Sequence, residues 1–268
     1  LMNTSERLTH KLALQREELA QCADREKLKQ QGDLLSASVW QLKKGMTQVE
    51  LADFYHDGET VTIPLDPALT PVQNIQWYYK QYRKAATAEQ ILTDQIQKGE
   101  QELTYVDSVF DAVSRTSGES ELLEIRQELA EQGYLKHYHN KNKLLKAQPP
   151  LRYRSSDGFT IWCGRNNRQN DRLTLRDARP EDIWFHTQGF AGSHVILVTN
   201  GIPLDDLPDR TVEEAAMIAA WNSRARAAAL VPVDYTQAKN VRKPGGAKPR
   251  MVIFDHYFTL YTTPHEEK

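Results

Sequence analysis

Apolar residues recur at helical spacing through two long stretches in the first half of the chain. Between residues 4 and 44 the intervals are mostly three, four and seven, and charged or Gln residues fill the gaps. The apolar positions are Leu8, Leu12, Leu19, Leu28, Leu35, Val39 and Leu42. This spacing predicts one long helix with a coiled-coil seam. A second helix of similar length is predicted after Thr70-Pro71, an N-cap followed by a first-turn proline.

A short β-favouring segment separates these two helices. Asp57-Gly58 stands between two β-favouring runs, which predicts a hairpin. We therefore expect the helices to fold back on each other as an antiparallel coiled-coil arm, with a small insert at its tip at about 46–72. The aromatic residues that follow are expected to pack the hairpin against the second helix; they are Trp77, Tyr78, Tyr79 and Tyr82.

A third helix and a linker follow the arm. The pattern predicts a helix at 119–131 that Gly133 ends. Residues 136–150 are basic and close with two prolines, which is typical of a linker. The sequence therefore predicts an arm and middle region at 1–135 and a second domain at 151–268.

From Leu151 onwards the apolar period falls to two, which is typical of strands. We expect a hairpin turning at Asp157-Gly158, then three further strands, one helix capped by Thr211, and a closing strand pair. The three strands are predicted at 171–178, 182–188 and 193–200, and the closing pair at 250–255 and 258–264. The predicted fold class is α+β: a long antiparallel helical arm followed by a mainly antiparallel α+β domain whose helix covers one sheet face.

Composition narrows the class of protein. The chain has 268 residues, of which 40% are hydrophobic and 26% charged, and no apolar run approaches 18 residues. We therefore expect no membrane span. The first residues lack the apolar core of a signal peptide, and two isolated cysteines form no metal or disulfide pattern, so a cytoplasmic protein is expected. Because Leu1 precedes Met2, the chain is also expected to be part of a longer protein.

A basic loop near the C-terminus is the first candidate binding site. The net charge is −2, yet the stretch from Lys239 to Arg250 holds five positive side chains and no acid. Such a run favours contact with phosphate. Gly245 and Gly246 would let the backbone approach a sugar-phosphate chain closely. The candidate residues are Lys239, Arg242, Lys243, Lys248 and Arg250.

A polar run at 165–170 is the second candidate. Arg, Asn and Gln side chains suit phosphate oxygens and base edges, but they equally suit an internal hydrogen-bond network that locks a turn. Both interpretations stay open for Arg165, Asn166, Asn167, Arg168, Gln169 and Asn170.

The next strands carry the remaining candidates. Trp184 could stack on a nucleobase, although a buried core position is as plausible. His186, Ser193 and His194 are RNA-binding candidates as well. The two histidines also have the chemistry of zinc ligands or a general base. No HExxH or CxxC spacing supports a metal site, so no metal or other cofactor is expected.

Several motifs of residues 151–268 resemble one known domain. They are RYRSSDGFTIWCGRNNRQND, DIWFH, GSHVIL, VPVDYTQAKNV and KPGGAKP. These segments are similar to the C-terminal RNA-binding-type domain (NFACT-R) of the NFACT family. The first half of the chain resembles the coiled-coil and middle region of that family, particularly of its bacterial RqcH branch, which is also labelled fibronectin-binding-protein-A-like. Arg250 departs from the family pattern, because Gly usually stands there.

The resemblance implies a non-enzymatic, ribosome-associated quality-control factor. Its partners would be tRNA and the large ribosomal subunit, both rRNA and stalk-base protein, and it would support C-terminal alanine tailing of stalled nascent chains. The large N-terminal domain of the family has no counterpart in this chain, so tailing would require it. Two alternatives remain: a metal-dependent hydrolase centred on His186 and His194, and an adhesin that binds fibronectin.

Overall fold

The computed structural model describes residues 1–116, 118–135 and 148–265. They form two compact units: one comprises Glu6–Gln101, and the other comprises Leu1–Ser5 together with the chain from Glu102 onwards. Most of the predicted linker, residues 136–147, lies outside the described residues. The proposed domain limits at 1–135 and 151–268 therefore stay a prediction.

The unit Glu6–Gln101 is built on helices that run in opposite directions. Helices α1 (Met2–Gln21) and α2 (Arg25–Ala37) precede the insert, and α3 (Pro71–Arg115) follows it. Within the unit, a Cβ added at Gly99 would meet Leu12, and one added at Gly32 would meet Tyr79. Thus residue 12 lies near residue 99 and residue 32 lies near residue 79, which means that α3 runs opposite to α1 and α2. The predicted antiparallel helical arm is confirmed.

The first half of the arm is not one continuous helix. A 3₁₀ turn at Cys22–Asp24 separates α1 from α2, and α2 ends at Ala37, seven residues before the predicted end. The apolar spacing explains the interruption, because the step from Leu19 to Leu28 is nine residues and shifts the seam by two positions. Beyond Ala37, Val39 and Trp40 are 40% and 78% exposed, whereas Leu42 is buried in the core beneath the hairpin.

The insert is a β-hairpin, as predicted. Strands β1 (Gln48–Asp53) and β2 (Glu59–Pro64) pair antiparallel, and Asp57 and Gly58 both have positive φ in the turn. The hairpin packs on α2 and α3 through a core that includes Leu35, Ile63 and Tyr78. Trp77, in contrast, is 45% exposed, so it does not belong to that core.

The second unit contains the sheet. Helix α4 spans Glu119–Glu131, and Gly133 follows with a φ of 79°. The strands are β3 (Leu151–Arg154), β4 (Thr160–Cys163), β5 (Ile183–Thr187), β6 (Val195–Leu197), β7 (Val231–Gln237), β8 (Val241–Arg242), β9 (Ile253–Phe254) and β10 (Phe258–Thr262). Six of them form one sheet in the order β10-β7-β5-β6-β4-β3, with every neighbouring pair antiparallel.

Helical elements cover both faces of this sheet. Helix α6 (Asp209–Trp221) packs Ala215, Ala219 and their neighbours against Ile161, Phe185 and Val195. On the other face lie helix α5 (Asn167–Arg172) and a π-helical turn at Leu173–Asp177, with Leu173 packed among Trp184 and Ile196. The predicted α+β class, with a helix on one face of an antiparallel sheet, is confirmed.

The predicted strand at 171–178 is wrong, because this segment is α5 and the π-helical turn. The alternation of Leu173 and Leu175 with polar residues is typical of a strand. However, Leu173 is buried whereas Leu175 is 37% exposed, so the two leucines do not share a buried face.

Two smaller predictions are also wrong. The closing strands do not pair with each other: β9 pairs with β8, and β10 pairs with β7. Thr211 does not cap α6, which begins at Asp209 after Pro208. Its buried hydroxyl donates instead to the carboxylate of Asp157, at 2.7 Å.

Candidate nucleic-acid interface

The polar run at 165–170 forms the start of α5 and lies against the acidic face of α4. Asn166 is the N-cap: its Oδ1 accepts from the backbone N–H of Gln169 at 2.9 Å. Its Nδ2 donates to Glu124 at 2.8 Å. Arg165 forms an ion pair of 2.6 Å with Glu121. Opposite charges therefore hold the beginning of α5 on α4.

Asn167 lies deeper in the same contact. Its Nδ2 donates to Ser108 Oγ and to Glu128 Oε1, both at 3.0 Å. The hydroxyl of Tyr105 donates to the same carboxylate oxygen at 2.8 Å. Burial raises the pKa of Glu128, and the two donors act in the opposite direction. Asn167 thus stabilises a buried carboxylate and does not face solvent.

Gln169 and Asn170 complete this internal network. Gln169 Nε2 donates to the carbonyl of Gln148 at 3.0 Å, and Asn170 Oδ1 accepts from the backbone N–H of His194 at 3.1 Å. Arg168 differs from its neighbours, since its side chain is 44% exposed and its distance to Glu131 is 3.4 Å. Within the run, Arg168 is the exposed cation.

Arg168 begins an exposed arginine row along α5 and the π-helical turn. Arg172 and Arg176 follow at intervals of four residues, and both are exposed. Together with Lys243 they line an open cavity of about 600 Å³, whose walls also contain Glu131 and Asp171. The sequence does not identify Arg172 and Arg176 as candidate RNA contacts, because a strand at 171–178 would not place them on one face with Arg168. The spacing of four between these arginines is the signal that a helical interpretation would have used.

The basic loop divides into exposed and anchored side chains. Lys239 and Arg242 are exposed, and Arg242 forms an ion pair of 2.7 Å with Asp255. Lys243 forms an ion pair with Asp171, next to the arginine row. Lys239 and Arg242 are therefore the loop cations most open to a ligand.

Lys248 anchors the loop in an aromatic cleft. Its Nζ lies 4.9 Å from the ring centre of Tyr105 and 4.6 Å from that of Tyr134, and it donates to the Tyr134 hydroxyl. The carboxylate of Glu102 is 3.8 Å away. Burial lowers the pKa of Lys248, and Glu102 acts in the opposite direction.

Arg250 is buried and also anchors the loop. Its φ is 74°, in the left-handed region that favours Gly, and its backbone N–H donates to Asp171 Oδ1 at 2.9 Å. Its Nη2 donates to His186 Nε2 at 2.8 Å. Burial lowers the pKa of Arg250 to about 10. In this conformation its guanidinium is not accessible to a phosphate group.

The remaining candidates lie in the interior of the second unit. Trp184 has no exposed surface, and its ring lies parallel to that of His186. His194 is also buried: its Nδ1 pairs with Thr174 Oγ1 at 2.8 Å, and burial lowers its pKa to about 3. Ser193 Oγ donates to the carbonyl of Gly164 and accepts from Arg115. Neither Trp184 nor Ser193 is open to a base in this conformation.

The histidine pair does not favour a metal-dependent hydrolase. Across residues 1–116, 118–135 and 148–265, no three His, Cys, Asp or Glu side chains are placed to hold a metal ion. Nε2 of His186 accepts a hydrogen bond from the guanidinium of Arg250, so the lone pair of this nitrogen is not free to bind a metal. Burial raises the pKa of the Cys163 thiol to about 11, which disfavours a thiolate.

The fold is that of an α+β protein with a helical arm, and its second unit carries a row of exposed arginines along α5. The chain belongs to the NFACT family: residues 1–148 match its N-terminal and middle domains, and residues 150–251 match the NFACT protein RNA binding domain.

Curated relatives carry the name Rqc2 homolog RqcH. The Bacillus subtilis protein is 40% identical over 237 residues, which cover 87% of this chain and 40% of the relative. The Streptococcus suis protein is 40% identical over 259 residues, which cover 96% of this chain and 46% of the relative. The chain thus spans less than half the length of these relatives.

A solved structure matches nearly the whole chain. It is the C-terminal part of the fibronectin/fibrinogen-binding protein from Streptococcus suis, with a TM-score of 0.76 and 34% identity, covering 99% of this chain and 91% of that one. Among the described residues, no helix is both long and apolar enough to cross a membrane.

Proposed function

We propose that this chain binds the large ribosomal subunit and tRNA as part of a ribosome quality-control factor, and that the arginine row is its RNA-contact surface. Membership of the NFACT family and the similarity to RqcH support a role in ribosome quality control. The observation that supports the location is the exposed series Arg168, Arg172 and Arg176 beside Lys243.

The ion pairs of this surface are suited to exchange. Arg168 and Arg172 contact carboxylates at 3.4 Å and 3.1 Å, and all four groups are more than 40% exposed. Exposed pairs of this kind contribute little stability, at most about 1 kcal/mol each. A phosphate can therefore replace the carboxylate, and arginine suits it because the guanidinium binds phosphate oxygens in a bidentate manner.

The remaining roles are part of this proposal and are supported by the membership of the NFACT family. The chain acts in the cytoplasm as a binding module without chemistry of its own. The helical arm is a docking lever that contacts rRNA or a stalk-base protein. The complete factor, including regions beyond this chain, supports alanine tailing of stalled nascent chains. The exposed loop residues Lys239 and Arg242 extend the RNA-contact surface.

The test is co-sedimentation with purified large ribosomal subunits across a salt series. The variant Arg172→Gln/Arg176→Gln removes two charges from the row. The matched control Arg210→Gln/Arg224→Gln removes two charges from arginines that are 72% and 60% exposed outside it. We expect the row variant to bind more weakly and with a shallower salt dependence, and the control to bind as the unmodified chain does. Equal binding by both variants would exclude the row as the contact surface.

Fibronectin binding is the second candidate, because the matching solved structure carries that name. The same three proteins, applied to immobilised fibronectin, separate the two functions. Saturable fibronectin binding without any large-subunit association would favour the adhesin.

A further inference from the structure

The cavity at the arginine row is followed by two neighbouring cavities that share wall residues along α5. A second cavity, of about 620 Å³, shares the side chains of Gln169 and Arg172 with the first. A third, of about 350 Å³, shares Pro150, Leu173 and Asp177 with the second. A chain-like ligand lying on the arginine row can therefore extend into the third cavity without leaving the surface.

The third cavity has an aromatic wall formed by Trp162. Trp162 lies in β4 between Ile161 and Cys163, which both face the α6 core, so its side chain points to the opposite face. There it packs at the edge of the cluster formed by Leu173, Trp184 and Ile196, and it remains partly exposed. The guanidinium of Arg152 lies 5.6 Å from the centre of its ring.

The polar groups of this cavity have distinct roles. Asp182 is buried, and its two oxygens accept backbone N–H groups of Arg179 and Thr199 at 2.8 Å and 3.0 Å, so it shapes the wall. Asp177 is exposed and paired with the exposed Arg172. Because such an exposed pair is weak, a phosphate can take Arg172 and leave the Asp177 carboxylate to accept from an amino group of a ligand. Arg179 adds an exposed cation at the rim.

This combination matches the chemistry of a nucleobase. A base presents a flat π-face that stacks on Trp, and its exocyclic amino group donates to a carboxylate. The volume of about 350 Å³ lies within the range of small-ligand sites, about 300–1,000 Å³. A base inside a duplex is stacked and paired, so it cannot enter such a slot, whereas an unpaired base can.

We propose that the Trp162 cavity binds one unpaired nucleobase of a single-stranded RNA segment whose phosphates lie along the arginine row. This inference rests on the proposed RNA-binding function and adds the kind of RNA. It assigns base stacking to Trp162 in place of the buried Trp184.

The test titrates the 268-residue chain with two RNAs. One is a single-stranded oligoadenylate of roughly 12 nucleotides, and the other is a duplex of roughly 12 base pairs. The variants are Trp162→Ala, Trp162→Phe, and Trp40→Ala as a control, because Trp40 is 78% exposed in the other unit. We expect Trp162→Ala to bind the single strand about tenfold more weakly and the duplex unchanged. Trp162→Phe keeps a π-face and should retain most of the affinity, while losing the tryptophan fluorescence quench caused by stacking.

Three results would overturn the inference. If Trp162→Ala binds the single strand as well as Trp40→Ala does, while Arg172→Gln/Arg176→Gln is weakened, the slot is excluded and the proposed function stands. If Trp162→Ala loses the single strand and the duplex equally, Trp162 is only a packing residue. If the unmodified chain binds neither RNA, the slot is excluded, and the proposed function fails with it only when co-sedimentation with large subunits is absent too.

Discussion

Asn167 illustrates how one carboxamide supports a buried charge. Its Nδ2 donates to both Ser108 and Glu128, and Glu128 is only 2% exposed. A buried acceptor that loses its donor bears the full cost of its desolvation. Within the run at 165–170, the side chains other than Arg168 are likewise engaged in internal contacts.

The substitution Asn167→Ala should lower the free energy of unfolding by about 1–3 kcal/mol, because Ser108 Oγ and Glu128 Oε1 both lose a donor. Urea unfolding at neutral pH measures this change. Arg168→Ala, one position along and 44% exposed, is the control and should change stability by less than about 0.5 kcal/mol. An equally small effect at Asn167 would show that the network tolerates the loss of its donor.

Acid should destabilise the protein through His194, which is buried, and His186, which is partly buried. Burial lowers the pKa of His194 to about 3 and that of His186 well below 6.5. Both are neutral in the folded state and bind a proton on unfolding below about pH 6.5. Their contribution to the free energy of unfolding is therefore complete above about pH 6.5 and is lost as the pH falls. Each histidine should remove about 1.4 kcal/mol per pH unit below that point.

Urea midpoints between about pH 7.5 and pH 4.5 measure this loss, and His194→Gln should reduce the slope. The difference in slope between the unmodified chain and His194→Gln reports on His194 alone. Glu128, whose raised pKa favours the folded state at low pH, contributes equally to both proteins. Identical slopes would mean that His194 binds its proton in the folded state.

At the scale of elements, the position of α5 depends on the space beside Gly164. A Cβ on Gly164 would lie 2.1 Å from Asn170 Oδ1 and 3.0 Å from the backbone nitrogen of Asn170. Since Asn170 Oδ1 also accepts from His194 N–H, the side chain cannot move without losing a buried hydrogen bond.

Gly164→Ala should therefore destabilise the protein by about 1–3 kcal/mol, as overpacking does. Gly245→Ala is the matched control, because no atom lies within 4 Å of its added Cβ, and it should be nearly neutral. Thermal unfolding of the two variants gives the comparison. A neutral Gly164→Ala would mean that α5 shifts away from the sheet at little cost.

Local chemistry explains which elements could be predicted from the sequence. The turns at Asp57-Gly58 and Asp157-Gly158 and the helix at 119–131 depend on residues next to each other in the chain, and all three are present. The segment 171–178 could not be predicted this way. Its leucines alternate as in a strand, and the outcome depends on the Asn166 cap and on what Leu173 packs against.

The candidate site was predictable to a smaller extent. The sequence gives Arg168 and Lys243 as members of two separate candidate sites, and it does not indicate that they line the same cavity. The sequence gives no indication that the 165–170 run donates hydrogen bonds to Glu121, Glu124 and Glu128, because these glutamates lie about 40 residues away in the chain. Nor does it indicate that Arg250 and Lys248 point inward.

At the scale of the whole molecule, net charge is a poor guide to binding. The chain carries a net charge of −2, yet four cations converge on one cavity: Arg168, Arg172, Arg176 and Lys243. Phosphate contacts act locally, within roughly a Debye length of 8–10 Å at physiological salt. Affinity for RNA should follow this local set and not the total.

For an oligonucleotide short enough to contact only these four cations, the logarithm of the binding constant should fall against the logarithm of salt concentration with a slope of about −3. Anisotropy of a labelled oligonucleotide between roughly 50 mM and 200 mM salt measures it. Arg172→Gln/Arg176→Gln should bring the slope to about −1.4. A slope that does not change in this variant would assign the contacts to other cations.

The antiparallel pairing of the arm also constrains how its length can change during evolution. Leu12 lies beside Gly99, and Gly32 lies beside Tyr79, so each level of the arm is built from two distant points of the chain. An insertion on one side alone would displace every level beyond it and place bulky side chains against each other where a glycine now makes room. Longer or shorter arms must therefore arise from paired insertions or deletions, matched in length and located at the same level of both helices.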